Sequence, residues 1–228
     1  MDPRSRPPLP ARAILAATAL AAVTIGHLTA QLAGADDVAN VTQWFLMPLL
    51  ALALWLAADG ARTTRLVRLT VVGLGLSWLG DTAPDLVRGD AAFVTMLGFF
   101  LLAHVAYLVA FWPLRREGVL GRARALLVPY AVALVALLVV CAPGTGALLL
   151  PTVVYGTALT AVAVLATFDR LAGIGGVLFI ASDSLIALNA FVDGYALPGH
   201  GFWVMVTYVA AQGLIAAGVL RRAQRAEA

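Results

Sequence analysis

The stretch "GGVLFIASDSLIAL", Gly175 to Leu188, decides the fold and poses its central question. It reads as a membrane-spanning helix, yet Ser182 and Asp183 stand in its middle. A second segment, "GLGLSWLGD", Gly73 to Asp81, carries an aspartate in the same kind of apolar run. An aspartate at mid-bilayer depth costs about 2.5–3.5 kcal/mol on insertion-derived scales. Two such residues in one chain call for a reason.

Working outward, the composition fixes the solvent. Of 228 residues, 62% are hydrophobic and 12% charged, and the mean hydropathy is +0.94. A soluble domain is nearer half apolar and a quarter charged. The chain is therefore expected to be all-α, a polytopic membrane helix bundle forming one domain, 1–228, because no polar linker divides it. A lone cysteine, Cys141, leaves no intramolecular disulfide and no metal-type spacing. Net charge is +3, but all 15 basic residues are arginines grouped in short segments between apolar runs. That grouping is a topology signal, and no nucleic-acid partner is expected.

A bilayer-spanning helix needs about 20 mostly apolar residues. Eight segments fit: 11–33, 42–59, 67–87, 92–113, 125–142, 147–168, 173–192 and 202–220. Alternate connections hold 14 of the arginines, among them Arg4, Arg6, Arg62, Arg115, Arg170 and Arg221, and the opposite side holds only Arg88. Basic residues stay on the cytoplasmic side, so both termini are expected there, in the cytoplasmic membrane. The first span is expected to be kept, since its removal as a signal peptide would separate the termini against that count.

Measured from the arginine-bearing ends at 1.5 Å per residue, Asp81 lies about 18 Å deep, Asp183 about 15 Å and His104 about 14 Å. Tyr208 and Gln212 fall at about 18 and 12 Å. His104 and Tyr107 are spaced i,i+3, while Tyr208 with Gln212 and Ser77 with Asp81 are spaced i,i+4, so each pair shares a helix face. The plain reading is a polar seam between helices; the sharper one is a buried site near the midplane. His27 reads as a packing histidine, and Trp44, Trp78, Trp112 and Trp203 as interfacial anchors. Gly73, Gly75, Gly173, Gly175 and Gly176 permit close helix approach.

Four blocks in order, "SWLGD", "GFFLLAHVAYLVAF", "GVLFIASDSLIAL" and "YVAAQGLIAAG", resemble the lysoplasmalogenase (YhhN-like) family of eight-span membrane proteins, and "TQWFLMPLL" resembles a fifth. The resemblance runs from about residue 40 to 220. It implies hydrolysis of the vinyl ether bond of a lysoplasmalogen, giving a fatty aldehyde and a glycerophospho-alcohol. By matching motif it implies Asp81, Asp183 and His104 as catalytic residues, and Tyr107, Ser182, Tyr208 and Gln212 around the substrate. Where the family's second-span block has a Lys-Pro pair, this chain has Gln43 and Trp44, while Pro48 is retained.

Vinyl ethers hydrolyse by protonation of carbon, which leaves an oxocarbenium ion for water to capture. Two carboxyls in a low-dielectric site supply the acid and the anion this needs, as in glycosidases. Asp81 and Asp183 are expected to be that pair, with either as the acid; His104 would orient one of them or relay protons. No cofactor is expected. A divalent ion held by two Asp and one His is the metal alternative. The partners expected are a lysophospholipid and the bilayer. Two other classes stay open: a proton- or ion-coupled transporter using the aspartates, and a non-catalytic lipid-binding protein.

Overall fold

The computed structural model describes residues 9–227. Among these, every element is helical: α1 (Ala11–Leu32), α2 (Asp36–Ala57), α3 (Arg65–Thr82), α4 (Asp90–Phe111), the single-turn α5 (Val119–Arg122), α6 (Leu127–Thr145), α7 (Leu149–Ala166), α8 (Arg170–Phe191) and α9 (His200–Glu227). Arg4 and Arg6, used above for topology, lie outside the described residues.

Six stretches are long and apolar enough to cross a membrane: Ala11–Leu32, Asp36–Ala57, Ala91–Leu114, Arg124–Ala166, Arg170–Phe191 and His200–Ala226. The fourth, 43 residues long, contains both α6 and α7, which are separated by a turn at Gly146–Leu148. Helix α3 is not among the six, because its 18 residues hold Arg65, Arg68 and Asp81. The exteriors are apolar too. On α6, Val128, Val132, Val135 and Val139 are each 57–67% exposed along one stripe, a surface suited to lipid and not to water.

Some helix ends differ from the expected spans because polar residues start and stop helices well. Helix α2 begins at Asp36, with Asp36 and Asp37 in its first turn, where carboxylates suit the positive end of the helix dipole. Helix α3 starts after Thr64, whose hydroxyl accepts the Val67 amide, and ends at Thr82. Pro84 then opens a short 3-10 turn and so ends the helix without breaking its interior.

Successive helices alternate in direction, and side chains tie the ends that meet. At the arginine-rich end, Asp169 caps α8 by accepting the Leu171 amide at 2.8 Å and lies 3.7 and 3.9 Å from Arg221 and Arg225 of α9. Glu117 accepts two bonds from Arg222, at 2.9 and 3.1 Å. At the opposite end, the Trp44 indole donates to Asp85 at 3.1 Å, and Phe93 of α4 meets Phe191 of α8 edge to face at 5.6 Å.

Helix α8 is the centre of the second half. A Cβ on Gly175 would stand 2.6 Å from the Ala211 carbonyl of α9, and one on Gly176 would stand 2.7 Å from Ala163 Cα of α7. Two adjacent glycines thus let α8 press its backbone against two neighbours at once. His27 is fully buried and pairs through Nδ1 with the Ala39 carbonyl and the Thr42 hydroxyl, each at 3.0 Å, which fastens α1 to α2.

Candidate active site

The polar residues singled out in the sequence converge between α3, α4, α7, α8 and α9. Tyr208, eight residues into α9, donates its hydroxyl proton to Asp81 Oδ2 at 2.9 Å. Tyr155, six residues into α7, donates to Asp183 Oδ2 at 2.5 Å. Each aspartate therefore has its own tyrosine from another helix. The two aspartates come from α3 and α8, and their tyrosines from α9 and α7, so four helices supply the two pairs.

Below them, toward the arginine-rich end, lies a second polar layer. Tyr107 donates to Gln212 Oε1 at 2.8 Å, and the Gln212 amide donates to Ser77 Oγ at 3.0 Å. All three side chains are fully buried. The chain of bonds links α4, α9 and α3, and every amide and hydroxyl in it finds a partner, as an apolar interior demands. A Cβ on Gly73 would stand 2.5 Å from the Tyr107 ring, so that glycine makes room for the tyrosine.

Aromatic rings enclose the carboxyls. Tyr208 packs edge to face on Phe100 at 5.7 Å and on Phe179 at 5.9 Å. His104 lies between Tyr155 at 5.0 Å and Phe179 at 5.1 Å, fully buried, and neither of its ring nitrogens has a hydrogen-bond partner among the described residues. An imidazole without a partner is costly in an apolar interior. Ser182 points elsewhere: its hydroxyl bonds the Val204 carbonyl of α9 at 3.1 Å, a helix-to-helix tie. Gln43 reaches the backbone carbonyl of Asp81 at 3.3 Å and holds the end of α3.

Tyr155 is the candidate-site residue that the sequence reading did not single out. One signal was available: Thr152 and Tyr155 are spaced i,i+3 in an otherwise apolar segment. The site also sits off centre. Asp81 is one residue from the end of α3, and Asp183 and Tyr208 are each eight residues, about 12 Å, from the helix ends remote from the arginines. Among the described residues, no three His, Cys, Asp or Glu side chains cluster as a metal site would require.

Residues 38–219 match the YhhN family, a span that holds every residue of this site and leaves α1 outside. The chain is 38% identical over 158 residues to a protein named lysoplasmalogenase from Mycobacterium bovis and to one of the same name from Mycobacterium tuberculosis. Those matches take in 66% of this chain and 60% of each relative, so the chain spans about three fifths of the mycobacterial proteins' length. A third relative, lysoplasmalogenase TMEM86B of Rattus norvegicus, is 35% identical over 175 residues, 75% of this chain and 69% of the rat protein. No solved structure matches the chain. The family match covers most of the sequence and every helix that builds the site, and on that ground the chain belongs to the YhhN family.

Proposed function

We propose that this chain is an intramembrane hydrolase of lysoplasmalogenase type, which cleaves the vinyl ether bond of a lysophospholipid to a fatty aldehyde and a glycerophospho-alcohol. The observation that carries the reading is the pair of tyrosine-bonded aspartates, Asp81–Tyr208 and Asp183–Tyr155, in an aromatic interior. The relatives' names agree with it.

The chemistry follows from the residues. One carboxyl delivers its proton to the vinyl carbon remote from oxygen, and the double bond's electrons form the new C–H bond. The carbon attached to oxygen becomes an oxocarbenium centre. The second aspartate, ionised, would stabilise that charge. The same aspartate takes a proton from the water that attacks the cation, giving a hemiacetal. Collapse of the hemiacetal breaks its C–O bond to the glycerol: the second aspartate returns its proton to the departing oxygen, and the hydroxyl proton passes to the first carboxyl as the aldehyde C=O forms, which restores both groups. The tyrosines fix the carboxyl rotamers, and His104 is suited to pass protons between carboxyl and water, since neither ring nitrogen has a partner among the described residues.

The same reading takes all eight helices of 18 or more residues as spans, including α3 and both α6 and α7. It puts both termini on the cytoplasmic side of the cell membrane, by the arginine bias. The substrate is a lysophospholipid drawn from the bilayer. Proteoliposomes without any ion gradient provide the test: release of aldehyde and glycerophospho-alcohol in equal amounts is expected. Solute movement that needs a gradient, with no aldehyde, would replace the hydrolase with a transporter.

A further inference from the structure

Helix α4 packs on α3 and α7, α8 packs on α7 and α9, and α6 packs on α7 and α8, which leaves a partly open cleft between α4, α6, α7 and α8. Each helix gives it one face. Phe93 and Phe100 of α4 are spaced i,i+7, and Leu134 and Leu138 of α6 are spaced i,i+4. Among the described residues, polar groups line only the wall built by α7 and α8: Thr152, Tyr155 and Asp183, the last sharing its face with Ala187 at i+4. The Thr152 hydroxyl is buried without a partner among the described residues.

We propose that this cleft seats the hydrocarbon chain of a single-chain lipid, with the chain's first carbons lying against Asp183. The inference rests on the hydrolase reading above and adds where the chain lies and which residues measure it. Protonation must occur at a carbon of the chain, so an acid serving that step has to face hydrocarbon. A carboxyl set into the wall of an otherwise apolar cleft does so, whereas one in a water-filled pocket would face oxygen atoms. Phe93 and Phe191, in edge-to-face contact, close the cleft at the end remote from the arginines, so chain length is read against that pair.

The test compares purified wild type with Ala187→Phe, which fills the cleft one turn from Asp183, on lysoplasmalogens with short and long alkenyl chains. The long-to-short ratio of kcat/KM is expected to fall about tenfold or more, since single methylenes in apolar pockets already discriminate at that level. An unchanged ratio overturns the proposal. A second readout needs neither turnover nor a folded variant: wild type is photolabelled by a lysophospholipid carrying a diazirine in its chain. Labelling of α4 and α8 segments around Phe93 and Ala187 supports the cleft. Labelling confined to the outward valines of α6 overturns it. Cleft labelling without aldehyde release from any substrate would keep the chain site and sink the hydrolase.

Discussion

At the residue scale, the site turns on hydrogen bonds to carboxyls in a dry interior. Bonds to charged groups are worth about 1.5–3 kcal/mol, so Tyr155→Phe is expected to lower kcat by about tenfold to a hundredfold while the protein stays folded. Turnover and a melting curve on the same sample check this; wild-type turnover would mean that Asp183 needs no such partner. Tyr107→Phe acts on the other layer. It leaves Gln212 one bond short, and the expected cost is about 0.6–2 kcal/mol of stability, read as a lower melting midpoint. Much of this was legible in the sequence. Asp81, Asp183, Tyr208 and Gln212 stood out because polar residues in apolar runs are expensive. Tyr155 did not, since one tyrosine in a span is unremarkable until its neighbour is known. Nor did the fate of Ser182 show, because a serine's hydroxyl can turn to another helix's backbone as easily as to a substrate.

At the element scale, helix α8 holds the site in place through its glycines. Gly176→Leu would drive a side chain into the α7 backbone, and Gly175→Leu into that of α9. Overpacking of this kind costs about 1–3 kcal/mol, and each variant should melt earlier and lose activity together. Gly213 of α9 is the control, as a Cβ there meets nothing within 4 Å and Gly213→Ala should be neutral or mildly stabilising. Equal effects at both positions would deny the close-packed seam. Each of the eight apolar runs corresponds to one long helix, in order, because lipid leaves an apolar chain few alternatives to helix. Helix ends were less legible. The start of α2 at Asp36 and the end of α3 at Thr82 depend on capping groups and on Pro84, which a hydropathy window averages away.

At the scale of the whole molecule, the asymmetry of charge is expected to orient the bundle and the site within it. Asp169 and Glu117 clasp the arginine-bearing end of α9, and the carboxyl site lies in the other half. With the arginines cytoplasmic, reporters fused after α9 should be active only if they function in the cytoplasm, and reporters placed in the 192–199 loop only if they function outside. The reverse pattern would invert the topology and with it the leaflet nearest the site. Neither the depth of the site nor its pairing of helices could be taken from spacing alone. Which helices become neighbours is set by packing between distant segments, such as α4 on α7 and α3 on α9.

The central claim is that Asp81 and Asp183 act as one acid–base pair on a vinyl ether, and one measurement tests it most directly. Aldehyde release from choline and ethanolamine lysoplasmalogens is followed with purified wild type, Asp81→Asn and Asp183→Asn, each shown to be folded. Wild type should release aldehyde, and each substitution should lower kcat by about a hundredfold or more, the usual contribution of a positioned acid or base. Full activity in both variants would contradict the account.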